Sequence, residues 1–371
     1  MEPGRQQYLD HYLKKVCRYK VIGEYQGAPV VSLYQAPMAT PVGTRSLEMR
    51  LKRRFEHQQI PAVATIAINK ACQCRCVHCS ALYYNHSSKP NLTTAEMIQA
   101  LQETVELGVT NIILLGGEPL LRPDLFELIQ AIPPEKAVVT MFTNGEFLDP
   151  DTCKRLKHAG LMGAFVSLDS VRAAEHDECR KRPGLFNKAC QGIQNLKKAG
   201  LLVAISSYLS PARLEAGVLE EMMDLGKELV VSEVTFFDAI PTGAWLHDTS
   251  CLLTSSDRQQ IIALVKKYRA QKDFPGISAQ ATMTCAEGSA FCFAANTQFY
   301  LTAHGEMCPC DFTPLTIGKF PEKSIADLWN QMIATPPYNE RAKSCRMQDP
   351  EFRKKYIQPI PANAELPHVL S

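Results

Sequence analysis

From residue 61 to about 270, short apolar β-rich runs alternate with stretches whose apolar positions recur at helical spacing. Strand-like runs fall at Ala62–Ile68, Asn111–Leu115, Ala137–Phe142, Ala164–Leu168, Leu201–Leu209 and Val230–Phe237. Between them the pattern predicts helices: Thr93 or Thr94 to Leu107 with Glu96 placed for a capping box, one from Asp124, and one after Pro150. Further helices are predicted over Phe186–Ala199, Glu215–Gly226, and from a Ser256 cap to Ala270. Strand and helix in strict alternation argue for βα units around a parallel sheet. Six such units fit a partial (β/α)6 barrel, and a closed eight-unit barrel would have to borrow strands from the C-terminal region.

The flanks read differently. Residues 1–60 hold two helical patterns, Gln6–Cys17 and Arg45–Glu56, around an irregular segment with Pro29, Pro37 and Pro41. Arg50, Lys52, Arg53 and Arg54 read as a solvated basic face. Beyond the repeats, Gln298–Thr302 predicts a strand, His304-Gly305 a turn, and Met307 the start of a returning strand. The expected division is 1–60, an extension; 61–275, the barrel; 276–346, a small C-terminal domain; and 347–371, a tail.

Composition narrows the class. The chain has 371 residues, 46% of them apolar, enough for a large core. Its 40 basic residues balance 38 acidic ones for a net charge of +2, so neither nucleic acid nor an anionic membrane is an expected partner. No apolar run is long enough to span a bilayer and none resembles a signal peptide, so the expected location is the cytoplasm. A reducing compartment disfavours a disulfide framework for the fourteen cysteines. They crowd at 72–79 and 285–310, a distribution that suggests metal. Cys17, Cys153, Cys179, Cys190 and Cys251 stand alone and read as small buried apolar residues.

Residues 72–79 read CQCRCVHC, in which Cys72, Cys76 and Cys79 form C-x-x-x-C-x-x-C. Three thiolates on one loop can hold three irons of a 4Fe–4S cube and leave the fourth iron open to a ligand that is not protein. Zinc is the competing occupant, since Cys76-x-x-Cys79 is half of a zinc ribbon, but no second C-x-x-C occurs in the chain. Cys74 is surplus to the triplet, and a register using it breaks the spacing. The cysteine loop, Gly116-Gly117-Glu118-Pro119, Thr143-Asn144-Gly145 and Ser167–Asp169 follow the first four strands in turn. Carboxyl ends of barrel strands are where chemistry sits.

With His78 before its last cysteine, and a GGEP turn one βα unit later, the chain resembles the radical S-adenosylmethionine (SAM) superfamily. The resemblance implies reductive cleavage of SAM to a 5′-deoxyadenosyl radical that abstracts hydrogen from substrate. It implies SAM contacts at Gly116, Gly117, Glu118 and Pro119, with the Glu118 carboxylate accepting from the methionine ammonium. It extends with less detail to Asn144, to Ser167 and Asp169 as ribose contacts, and to Arg180, in a stretch similar to H-D-x-x-R, as a partner of the SAM carboxylate or a surface residue. Cys292, Gly305 and Cys310 resemble the opening of the SPASM and twitch extensions, but the closing C-x-x-C-x5-C-x3-C run of a full SPASM module is missing. One auxiliary 4Fe–4S cluster on Cys292, Cys310 and Cys345 is therefore implied. Its fourth ligand is open among Cys285, Cys308 and a site for substrate, and zinc is the alternative metal. The implied substrate is a peptide undergoing maturation or, alternatively, a small haem- or molybdopterin-type precursor. The implied reductant is a flavodoxin or ferredoxin. An iron–sulfur electron carrier without catalysis is the reading of another class, and it leaves the GGEP turn without purpose.

Overall fold

The structure, a computed structural model, describes residues 3–85, 88–284, 291–361 and 364–370. The first strands, β1 (Gly23–Tyr25) and β2 (Ala28–Val30), form an antiparallel hairpin inside the segment that reads as irregular. The six expected strands are β3 (Val63–Asn69), β4 (Asn111–Gly116), β5 (Val138–Thr143), β6 (Gly163–Ser167), β7 (Leu202–Leu209) and β8 (Glu233–Asp238). Each pairs in parallel with the next. Two more parallel strands flank them: β9 (Gly276–Ala279) beside β8, and β10 (Gln298–Leu301) beside β3. The short β11 (Met307–Cys308) returns antiparallel to β10 and ends the sheet. The result is an open, TIM-like partial barrel of nine strands. Its first strand edge is supplied by the C-terminal region, so the hairpin of residues 298–308 is an extension of the barrel sheet.

Helix boundaries follow local chemistry. Thr93 and Glu96 form the expected capping box ahead of the helix Thr94–Glu106. The last barrel helix, Ser255–Arg269, is capped by Thr254 with Asp257, two residues earlier than the Ser256 expected from the pattern. The run expected as one helix over Glu215–Gly226 is two, Pro211–Glu215 and Val218–Glu228, because Gly217 turns left-handed at φ 75° between them. The helix Ala173–Arg180 was not expected at all. Cys17 is exposed, against the reading of it as a core residue. Arg50 stacks 4.5 Å over the Tyr12 ring and Arg53 donates to the Ile60 carbonyl at 3.2 Å, so part of the basic face packs rather than only meeting water.

Strand alternation divides the apolar residues between two cores. Ala164 and Val166 of β6 face the outer helices, whereas Phe165 between them faces inward. The inner core contains Val138, Phe165, Leu202 and Ala204 together with Tyr25, Val30, Leu33 and Val42 of the N-terminal extension. That extension plugs the barrel at the amino ends of its strands. Ser32 Oγ and the Leu33 N–H donate to the buried Glu233 carboxylate at 3.0 and 2.9 Å, and Asn111 Nδ2 donates to the Tyr34 carbonyl at 2.6 Å. With one end filled, the carboxyl end is left for a ligand.

The C-terminal residues close back on both regions. In the helix Ile325–Ala334, Trp329 is fully buried and its Nε1–H donates to the Gln59 carbonyl at 2.6 Å. The Arg353 guanidinium donates to the carbonyls of Pro241 and Leu246, at 3.1 and 2.6 Å, beyond β8. β12 (Leu315–Thr316) pairs in parallel with β13 (His368–Val369). Among the described residues, no helix is long and apolar enough to cross a membrane.

Candidate active site

The cysteine loop leaves β3 and is stitched at once to the turn that leaves β4. The Gly117 N–H donates to the Asn69 carbonyl and the Glu118 N–H to the Ala71 carbonyl, both at 2.8 Å, while Asn69 Nδ2 donates to the Glu118 carbonyl at 2.7 Å. This contact explains the two glycines. A Cβ on Gly116, whose φ is +147°, would lie 2.1 Å from the Asn69 carbonyl oxygen, and one on Gly117 would lie 2.2 Å from that of Ala71. What the missing side chains admit is the chain's own cysteine loop.

The other side of the loop is bracketed too. The N–H groups of Arg75 and Val77 donate to the Arg180 and Cys179 carbonyls, at 3.1 and 2.9 Å, at the end of the helix Ala173–Arg180. The Ala244 N–H donates to the Cys79 carbonyl at 2.9 Å. His78 packs between Tyr208 and Trp245, with ring centroids 4.6 and 6.0 Å away. Burial depresses it to about 4, so it is neutral at pH 7.

Within this frame Cys72, Cys76 and Cys79 lie within electrostatic range of one another and each is half-buried. Cys74 is buried beside Cys72 and Cys76, placed so that its thiol favours hydrogen bonding to either of them as a thiolate. That hydrogen bond, with the Arg180 charge, brings Cys76 down to about 7, while burial pushes Cys79 up to about 12. Cys179, expected as an isolated core residue, sits with its Sγ 3.3 Å from His78 Nδ1.

The side chains expected around SAM divide into two sets. Glu118 is fully buried, accepting from Thr143 Oγ1 at 2.7 Å, the Asn144 N–H at 2.8 Å and the Leu120 N–H at 3.2 Å. Burial lifts its carboxyl to about 7 against those hydrogen bonds. Pro119 follows it as the first residue of a short 3-10 turn capped by Glu118. Asn144 uses Oδ1 to accept from Gln73 at 3.2 Å and from the Glu146 N–H at 3.0 Å, but its buried Nδ2 has no partner among the described residues. Ser167 is half-buried at the end of β6.

Asp169 and Arg180 belong to the second set. They are buried and paired with each other, Arg180 Nε to Asp169 Oδ2 at 2.7 Å, so the alternative reading of Arg180 as a surface residue is corrected. Burial alone would raise the Asp169 carboxyl, but the Arg180 charge beside it holds it well below the usual range. The neighbouring cations turn elsewhere: Lys181, at φ 51°, pairs with Glu178, and Arg182 with Glu146 at 2.7 Å. Gln73 donates to that same Glu146 at 2.8 Å and ties the cysteine loop to the turn after β5. Gln73, Glu146, Tyr208 and Trp245 carry no signal of their own in the sequence; only folding brings them here.

A second cysteine group forms where β10 and β11 meet the C-terminal segment. Cys292, Cys310 and Cys345 are within electrostatic range of one another. The Cys292 N–H donates to the Ala342 carbonyl at 3.1 Å, and Cys310 Sγ lies 3.2 Å from Thr313 Oγ1. Burial pushes the Cys310 thiol up to about 12 and that of Cys345 up as well. Cys308, on β11, is fully buried near Tyr84. Cys285 lies outside the described residues.

Both groups suit iron better than an apolar core would require. Three thiols gathered in one place are a donor set that a cation can deprotonate and hold as thiolates, which isolated core cysteines are not. The unpartnered Asn144 amide beside the first group is a donor awaiting a ligand.

A nine-strand open barrel with a three-cysteine loop after its β3 strand, a glycine turn locked beneath it and a second cysteine group on its edge defines a radical enzyme scaffold. Residues 66–236 match the radical SAM superfamily, and residues 292–354 match the SPASM iron–sulfur cluster-binding domain. The chain belongs to the radical SAM superfamily, as an enzyme with a C-terminal SPASM/twitch domain, and its cofactors are SAM and 4Fe–4S clusters. Among curated relatives it is 27% identical to an AdoMet-dependent heme synthase of Methanosarcina barkeri, over 72% of this chain and 82% of that one. It is 25% identical to a PqqA peptide cyclase of Granulibacter bethesdensis, over 74% and 76%. In structure it is similar to Streptococcus suis SuiB bound to S-adenosylmethionine, with a TM-score of 0.61 and 17% identity over 80% of this chain and 71% of that one.

Proposed function

We propose that Cys72, Cys76 and Cys79 hold the SAM-cleaving cluster, that Cys292, Cys310 and Cys345 hold one auxiliary cluster, and that substrate binds between them. Bound to the first cluster and reduced by one electron, SAM supplies a 5′-deoxyadenosyl radical that removes hydrogen from carbon. The protein's own part is positioning. The turn Gly116–Pro119 and the Asn144 amide lie where SAM would sit, and Ser167 lines the same rim. Asp169 and Arg180 act from behind by holding residues 75–77 of the cysteine loop in place. A flavodoxin or ferredoxin is the expected electron donor.

One observation carries the substrate assignment. A file of aromatic rings runs from the plug toward the second cysteine group. Tyr34 to Phe165 is 4.7 Å, Phe165 to Phe142 4.4 Å, Phe142 to Phe237 5.9 Å and Phe237 to Phe312 6.0 Å. Phe142, Phe237 and Phe312 are half-buried, and Phe312 is two residues from Cys310. Half-exposed aromatic faces at the carboxyl ends of β5 and β8 favour a flat apolar substrate, which stacking would orient. With the relationship to the heme synthase, this favours an iron tetrapyrrole. The peptide expected from the resemblance is the second reading, supported by the relationship to the PqqA peptide cyclase.

Anaerobically reconstituted protein should carry roughly eight irons per chain. Reduced and given SAM, it should release 5′-deoxyadenosine faster when iron-coproporphyrin III is added, and the Soret band of that porphyrin should shift on binding. No Soret shift, together with stimulation by a peptide, would move the assignment to the second reading.

A further inference from the structure

Tyr338 is buried to 5% exposure, and its hydroxyl is a buried polar atom without a hydrogen-bond partner among the described residues. A buried phenol normally finds one. Its surroundings show what is missing. The thiols of Cys310, Cys292 and Cys308 are all within its electrostatic range, with Cys310 the strongest of the three. The ring is fixed from behind: Phe352 packs edge-on at 6.4 Å, and the Arg346 guanidinium lies 5.2 Å from the Tyr338 centroid. Arg346 is itself held by the Pro337 and Glu340 carbonyls, both at 2.6 Å, and it follows Cys345 directly. The chain that supplies the third cysteine therefore also clamps the tyrosine.

We infer that Tyr338 is a positioning residue of the auxiliary cluster, its hydroxyl donating a hydrogen bond to a cluster sulfur or to a ligating thiolate. The inference rests on the proposed auxiliary cluster and deepens it. Each electron added to a cluster increases the negative charge on its sulfurs, so a donor aimed at them stabilises the reduced form and raises the reduction potential. Tyr338 thereby sets how readily this cluster accepts the electron left on substrate after hydrogen abstraction.

The test uses full-length protein in which Cys72, Cys76 and Cys79 are alanine, so that the remaining cluster is observed alone. Iron content and the spectrum of the reduced cluster first establish that it is present; a protein with no iron at this site would overturn the auxiliary assignment itself. In an EPR-monitored redox titration, Tyr338→Phe, which keeps the ring and removes the hydroxyl, should lower the midpoint potential at unchanged iron content. Replacing Tyr338 by 3-fluorotyrosine, a stronger donor of the same shape, should raise it. The opposed shifts separate hydrogen bonding from packing, and the fluorinated variant decides the matter if the phenylalanine variant fails to fold. A potential that stays put with the fluorinated residue overturns the role of Tyr338 while leaving the cluster standing.

Discussion

The two cysteine groups solve one problem, gathering three thiols in one place, in opposite ways. The first lies within residues 72–79 on a single loop, and most of the surrounding structure exists to hold that loop. The second is drawn from residues 292, 310 and 345, so the fold itself is the ligand frame. Local spacing makes the first group cheap to form in entropy, because few residues must be ordered to bring its thiols together. That loop is only partly buried, and backbone hydrogen bonds brace it from the turn after β4, the helix Ala173–Arg180 and Ala244. The second group is packed in the core with Tyr338 and Trp329, with Cys310 partly buried at its edge.

The contrast can be broken most sharply at the cysteines. Cys76→Ala should reduce 5′-deoxyadenosine release to background while about half the iron remains, whereas Cys345→Ala should keep SAM cleavage and lose product formation. Iron analysis alongside nucleoside release checks both; equal loss of both activities in the two variants would contradict the division of labour.

The brace should respond next. Arg180→Met leaves the Asp169 carboxylate buried and unpaired, a change that costs about 3–5 kcal/mol in such pairs. Chemical denaturation should show the loss, and the first cluster should load less iron than the second.

Glu118 predicts a pH dependence. Its folded carboxyl titrates near 7, above its ordinary value of 4.5, so the unfolded chain gives up this proton first as pH rises. The contribution is intact below pH 4.5, declines through the folded value, and amounts in total to about 3 kcal/mol by pH 7.5. Urea unfolding of the SAM-free protein at pH 4.5, 6 and 7.5 should reveal the slope, and Glu118→Gln should flatten it. Gly117→Ala is the mildest of the set. Overpacking against the Ala71 carbonyl should destabilise by about 1–3 kcal/mol, visible as a lower melting temperature with residual SAM cleavage.

Much of the barrel was legible because its strands are buried on both faces and its helices are capped. The cap at Thr93 and Glu96 and the alternation of β3 to β8 are local signals. β1, β2, β9 and the helix Ala173–Arg180 escaped notice because they are short and borrow their stability from what they pack against. Gly116-Gly117 stood out as a motif, but its reason did not, since the atoms that demand glycine belong to residues 69 and 71 of another βα unit. Asp169 and Arg180 stood out as polar residues near a ligand. Their pairing, eleven positions apart around a helix, became visible only in three dimensions.

By itself the chain determined the chemistry it can carry: a cysteine triplet whose spacing is written in eight consecutive residues, and a parallel βα order that places it at the barrel's reactive end. Only the tertiary structure decided that Asp169 and Arg180 face one another, that residues between Ile22 and Val42 fill the barrel from below, and that Tyr338 is buried in one core with Cys292, Cys308 and Cys345. The physical reason is range. Loop spacing and strand periodicity act between near neighbours in sequence, whereas burial and charge pairing depend on distances that exist only after the chain has closed.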